Sequence, residues 1–210
     1  MLRMLSSFSQ RLADEGRSYF SSPGGGNRIG ERLFDPRVTV FSDPAFPDAE
    51  TAPFNRLGQS LNRQQWINGG QLTALSRSRF WDEQQGEETL PSPSDLIMAG
   101  GTDSLEDMIA STERGVLLTR FWYIRGLNPR IVSYTGLTRD GTFLIENGRI
   151  SRAVTNFRFN QSLTEVLQNI DMIGPAVRVA AAENSSVSTP IVVPPLKVLN
   201  FNLSSVSYAI

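Results

Sequence analysis

The chain has 210 residues, 40% of them apolar and 20% charged, an ordinary composition for a folded globular protein. It contains no cysteine and no histidine, which excludes a disulfide framework, a Cys/His zinc site built from this chain alone, and any mechanism that needs a His or Cys base or nucleophile. The formal net charge is −1, so no global field draws in nucleic acid.

The basic residues are almost all arginine, with Lys197 the one lysine, a bias that codon usage explains as readily as anion binding. A metal site of Asp and Glu oxygens stays open on composition alone. No apolar run reaches the length of a membrane span. The start, "MLRMLSSFSQRLADEGRS", lacks a long apolar region and a small-residue cleavage site, so no secretory signal is read there and the expected location is cytoplasmic.

In chain order, Leu5, Phe8 and Leu12 recur at helical spacing and predict an amphipathic helix. "SSPGGGNRIG" follows as a connector; its glycines miss the dinucleotide-binding spacing by one, and no strand leads into them. "RVTVF" predicts a short strand, and "QWINGGQL" a hairpin within residues 63–75 that turns at Asn68-Gly69. The polar stretch 81–95 reads as a long mobile surface loop. "GGTDSLEDMIAST" predicts a helix with Asp103 and Glu106 as its capping box and Leu105, Met108 and Ile109 as its apolar face.

"GVLLTRFWYIR" is the longest strand candidate. Its first part is apolar on both faces, which predicts a central strand. Further along, alternation puts Arg120, Trp122 and Ile124 on one face and Thr119, Phe121, Tyr123 and Arg125 on the other. In "TGLTRDGTFLIENGRI", Asp140-Gly141 and Asn147-Gly148 both tolerate the positive φ of tight turns and predict a meander of three strands. "NQSLTEVLQNI" predicts a helix capped by Ser162 and Glu165, with Leu163, Val166, Leu167 and Ile170 as its buried stripe. Short β segments follow in "VRVAA", "PIVVPPLKVLNF" and "SSVSYA", with Pro190, Pro194 and Pro195 favouring edges or bends. The fold class expected is α+β: β-rich, a mainly antiparallel sheet with a few short helices and no clean domain break.

Taken in order, "NRIGERLFDPRVTVFSDP", "RQQWINGGQL", "SLEDMIASTERGVLLTRFWYIR", "YTGLTRDGTFLIENGRISRAVTNFRFNQSLTEVL" and "PIVVPPLKVLNFNLSSVS" resemble the C-terminal half of the TldD/PmbA family. That family includes proteins proposed to modulate DNA gyrase and peptidases that process a microcin and an antitoxin. The resemblance implies a division into residues 1–26, a helix and linker at the tail of an absent N-terminal half, and residues 27–210, the C-terminal domain proper. It also implies proteolysis of unfolded or small peptides, in which an HExxxH helix of the N-terminal half and a cysteine near the C-terminus hold zinc. The zinc would lower the pKa of bound water and polarise the scissile carbonyl.

This chain departs from that pattern. It has no HExxxH, and no cysteine in "VRVAAAENSSVSTP", where the active subunits carry one. No catalytic and no metal-binding residue is therefore assigned, and the chain alone is expected to be inactive. The resemblance suggests an extended peptide held in a groove, with Thr119, Arg120, Tyr123, Arg125 and Arg139 as candidate contacts. Each arginine has the simpler alternative of pairing with Asp or Glu in the structure.

The acidic cluster Asp103, Glu106, Asp107 and Glu113 needs no role beyond capping and a solvated face, and Asp140 none beyond its turn. Trp66, Trp81 and Trp122 read as core or interface anchors. The partners implied are a peptide or unfolded protein and a homo- or hetero-oligomer with a TldD/PmbA-type subunit, with no membrane and no direct nucleic-acid contact. The alternative to a peptidase domain is a non-catalytic partner or peptide-binding module of such a complex. A free-standing carboxylate enzyme is a third class, which no motif supports.

Overall fold

The computed structural model describes residues 8–86, 88–179 and 190–208. Leu5, the end of "VRVAA" and most of the segment where a cysteine was sought lie outside them. Helix α1 (Gln10–Asp14) is capped by Ser9, whose side chain accepts from the Leu12 amide. Phe8 sits ahead of it rather than on its face, buried against Phe20 and Trp66 with ring centroids 5.1 and 6.2 Å away.

Six strands form the first sheet, in the order β10 (Val177–Val179), β11 (Ile191–Val193), β4 (Leu96–Met98), β1 (Val40–Ser42), β2 (Gln64–Asn68), β3 (Gln71–Leu72). Only β4 and β11 run parallel. The β2–β3 hairpin turns at Gly69-Gly70, one residue later than expected, with φ of 55° and 77°. Two successive positive φ values are what a two-residue hairpin turn of this hand demands, and Asn68 instead pairs with Gln71 inside the ladder. The predicted strand at residues 37–41 starts later, at Val40. Arg37 is used otherwise: it grips Asp35 and donates to the carbonyls of Ile170 and Asp171, tying β1 to β9 (Ile170–Ile173). A small sheet pairs β9 with β12 (Leu196–Val198), and Pro194-Pro195 make the bend between β11 and β12.

The stretch expected as a mobile loop holds helix α2 (Arg79–Gln85), and the acids Asp82 and Asp95 at its two ends are buried. Local polarity misleads here because Asp82 is paired with Arg77 at 3.1 Å. Arg77 also reaches Gln10 and the Glu88 carbonyl, so one guanidinium gathers three segments. Helix α3 (Leu105–Ala110) is capped by Ser104 with Asp107, one residue on from the expected pair. Asp103 is left free to accept from the Ile173 amide. Its face is narrower than expected, with Met108 buried and Leu105 exposed. Helix α4 (Leu163–Gln168) keeps the expected Ser162 cap and buries Leu167.

The second large sheet has five strands: β13 (Leu203–Val206), β8 (Phe157–Ser162), β6 (Ser133–Glu146) and β5 (Arg114–Asn128) in order, with β7 (Arg149–Ala153) on the far half of β6. Asn147-Gly148 makes the β6–β7 turn as expected. Asp140-Gly141 does not turn the chain. β6 runs straight through it, and the two residues sit opposite the single residue Thr119 as a bulge. The positive φ of Asp140 (59°) and Gly141 (148°) serves the bulge, which is why the dipeptide reads like a turn. On the core side a chain of hydroxyls spans it: Thr142 to Thr138 at 2.9 Å, with Asn156 accepting from both.

One buried cluster draws on both large sheets, from Val38, Trp66, Ile67, Leu72 and Met98 to Val132, Tyr134, Phe159 and Leu167. Phe121, Phe159 and Phe201 close it on the five-stranded side, with centroids 5.2 to 5.8 Å apart. Gly136 lets Phe159 lie on β6; a Cβ there would stand 2.6 Å from the ring.

Two buried acids, Asp82 and Asp95, each keep one carboxylate oxygen without a hydrogen-bond partner. Asp95 is 1% exposed; one carboxylate oxygen accepts from the Asp43 amide at 2.7 Å and the other has no partner. Burial pushes its carboxyl above the usual carboxylate range, and the Asp43 charge adds to the rise against the opposing amide hydrogen bond.

Two outcomes are expected. Gly141→Ala forces a side chain into a φ of 148° and to 2.6 Å from the Thr119 hydroxyl, and should destabilise the fold by about 1–3 kcal/mol in urea denaturation. For Asp95, the native state holds its proton to higher pH than the unfolded chain. Its contribution is therefore present below the unfolded pKa of about 3.9 and is lost as pH rises through the raised native value. Asp95→Asn should remove that loss, so the stability difference between variant and parent grows in the variant's favour as pH rises; a pH-independent difference would refute the assignment.

Candidate functional site

The site is built by the β5–β6 ladder. β5 pairs with β6 over its whole length and, among the described residues, with no strand on its other side. It is therefore an edge strand, not the central strand that its apolar start predicted. Residues 115–118 are only half-buried, so the apolar run there does not mark a strand buried on both faces.

Three irregularities interrupt the ladder, and two of them decide which side chains meet. Thr119 lies opposite the Asp140-Gly141 bulge and donates its hydroxyl to the Gly141 carbonyl at 2.9 Å. Beyond it, Arg120 pairs with Arg139 and Trp122 with Leu137. The next matched pair is Arg125 with Thr135, so Tyr123 and Ile124 together face the single residue Gly136. Tyr123 takes a φ of 54°. This second bulge reverses the alternation: Ile124 packs with Phe121 on the core, and Arg125 moves to the outer face. The expected grouping, with Ile124 beside Arg120 and Arg125 opposite, is overturned by that one left-handed residue.

Before the bulge in β6 the buried residues are Tyr134, Gly136 and Thr138, so Thr135, Leu137 and Arg139 point outward. The outer face then carries three rows set by register: Arg120 and Arg139; Trp122, Leu137 and Arg158; Arg125, Thr135 and Asn160. Arg120 and Arg139 lie over the Trp122 ring at 4.7 and 5.2 Å, and both engage Asp140, Arg139 at 3.6 Å. Arg125 covers the Tyr123 ring at 4.2 Å and donates to the Ile124 carbonyl. Arg158 donates to the Thr135 hydroxyl at 3.3 Å.

Three of the five residues singled out from the sequence, Arg120, Arg125 and Arg139, thus share one face. Thr119 and Tyr123 occupy the two bulges that arrange it. Sequence reasoning missed Arg158 and Trp122 as members. Arg158 alternates with the buried Phe159 in "NFRFNQ", a legible signal, but its strand neighbour could not be known without the register.

Lys197 meets Asp171 at 2.8 Å and donates to Ser111 at the end of α3. A cleft of about 280 Å³ beside α1 is lined by Leu12, Arg17, Tyr134 and the β5–β6 connection. No three Asp or Glu side chains come together as a metal site among the described residues. No helix among them is long and apolar enough to cross a membrane.

Residues 1–205 match the family described as the PmbA/TldA metallopeptidase C-terminal domain. A comparison with curated proteins returned no match. Among solved structures, the chain resembles a proposed modulator of a DNA gyrase from Thermotoga maritima, with a TM-score of 0.76 at 19% identity, over 94% of this chain and 45% of that one. It also resembles TldE from Thermococcus kodakarensis, with a TM-score of 0.74 at 18% identity, over 95% of this chain and 45% of that one. A third, a proposed modulator of DNA gyrase from Bacteroides thetaiotaomicron, gives 0.70 at 20% identity, over 93% and 43%. The chain spans less than half the length of each of these structures.

Proposed function

The chain belongs to the PmbA/TldA metallopeptidase family as a C-terminal domain, and on that premise we propose that it holds an extended peptide for a zinc peptidase without cleaving the peptide itself. The observation that carries this reading is the edge of β5, a 15-residue strand that, among the described residues, has a strand neighbour on one side only. An extended peptide can add to a strand edge by backbone pairing whatever its sequence.

The chain's own residues do not fit the zinc of the active family members. It has neither histidine nor cysteine, and its acids do not gather among the described residues. Water activation therefore falls to a segment outside this chain. The lack of cysteine anywhere in the sequence favours a second reading, a non-catalytic subunit that pairs with a TldD/PmbA-type peptidase. The working location in either reading is the cytoplasm.

Two measurements test this. The purified chain should bind an unstructured peptide in fluorescence anisotropy and leave it intact with or without added zinc; turnover abolished by a chelator would overturn the non-catalytic assignment. N-methylating alternate peptide amides should abolish binding in one phase and spare it in the other, because only every second amide faces the edge. Equal binding in both phases would exclude strand addition. The native product's mass separates the two readings, since a chain of about twice this length with an HExxxH segment supports the first.

A further inference from the structure

We propose that Asp95 is an acid-held latch on the loop between β1 and β2: its protonated carboxyl keeps residues 43–63 closed on the six-stranded sheet, and loss of the proton loosens them.

The geometry places one carboxyl at the root of that loop. Asp95 immediately precedes β4, and Asp43 immediately follows β1, the strand paired with β4. One Asp95 oxygen accepts from the Asp43 amide at 2.7 Å, so the loop is held at its first residue. From there the chain folds back on itself. Phe46 donates to the Asp43 carbonyl, Ala49 to that of Phe46 and Thr51 to that of Pro44. Ala49 is fully buried and clusters with Phe41, Ile97 and Val192, with Phe46 packed against them. At the far end of the loop, Arg63 donates to the Asp43 carboxylate at 3.4 Å and lies over the Phe41 ring at 4.7 Å.

The closed loop suits a neutral acid and not an ionised one. The second Asp95 oxygen and the Thr51 hydroxyl are both buried without a hydrogen-bond partner. A carboxylate that is 1% exposed, with a single amide donor, bears a large desolvation cost. Strands β1, β2, β4 and β11 bring no ionisable side chain to offset it. Asp43 repels a second negative charge, and the guanidinium of Arg63 is turned to Asp43 and Phe41. The other charged residues of the loop, Asp48, Glu50 and Arg56, are exposed to solvent. Burial first, and the Asp43 charge after it, hold the Asp95 carboxyl above its usual range.

Opening the loop hydrates Asp95 and returns it to an ordinary pKa of about 3.9. Below that pH both forms are protonated, and the closed form has its full advantage. Above it the open form is ionised while the closed form keeps its proton, so the open population rises by about tenfold per pH unit. The rise ends where the closed form ionises as well. What moves is a loop that carries the exposed side chains of Phe54 and Leu57.

The test is amide hydrogen exchange on the 210-residue chain, followed by NMR from about pH 4 to about pH 8 and corrected for the intrinsic rate of each amide. The amides of Asp43, Ala49 and Thr51 are expected to lose protection by about tenfold per pH unit in the lower part of that range and then level off. Their exchange should be indifferent to dilute urea, because opening one loop exposes little surface. Asp95→Asn should hold the loop's protection constant with pH. Asp43→Asn keeps the backbone donor and removes the like charge, so it should level off at a lower pH and leave the loop better protected than in the parent at neutral pH. Should Asp95→Asn fail to fold, the parent profile and Asp43→Asn decide the question.

Loop protection that does not change with pH in the parent overturns the proposal. Exchange of the three amides that climbs steeply with dilute urea assigns the titration to unfolding of the whole chain and overturns it too. A pH-dependent opening that persists unchanged in Asp95→Asn, or a levelling-off that Asp43→Asn leaves where it was, does the same.

Discussion

The pairing of β5 with β6 is the constraint on which the rest of the second sheet depends. β6 takes β5 along one side, and β8 and then β7 along the other, so every strand but β13 is placed by it directly. The ladder is too long to be regular. Bulges bend a strand and raise its local twist. The bulges at Thr119 and Tyr123 do so, and each also re-aims side chains. The first sets Arg139 and Asp140 beside Arg120; the second takes Ile124 into the core and brings Arg125 out.

Such a strand edge is a hazard as well as an opportunity. Long flat edges invite association with other chains. Here the bulges break the flatness, and arginines crowd the outer face next to the edge. The aromatic cluster of Phe121, Phe159 and Phe201 holds the inner side, so the outer face has a stiff base.

Much of this was legible in the sequence, and the failures share a cause. The β-rich α+β class, the Ser162 helix cap, the Asn147-Gly148 turn and the family follow from local patterns or from an ordered series of motifs. What escaped were facts about partners. Asp140-Gly141 tolerates positive φ equally in a turn or a bulge, and only the opposing strand decides between them. The apolar start of β5 reads as central because composition cannot tell a buried face from one left uncovered. Residues 81–95 look like solvent-exposed loop because Arg77, which pairs with Asp82, precedes the stretch. The arginine face needed the register: three of its members were singled out one by one, yet alternation alone would have set Arg125 on the wrong side.

The choice of arginine on that face has a chemical corollary. The chain's single lysine is held at the end of α3 by Asp171 and Ser111, far from the rows in sequence and engaged in the fold. Acylation of lysine amines, a common way for cells to adjust surface charge, therefore finds no target among the outer-face arginines. With no histidine in the chain, mild acidification does not retune it either. The arginines of this face therefore carry the same charge whether lysines are acylated or the medium is mildly acidified.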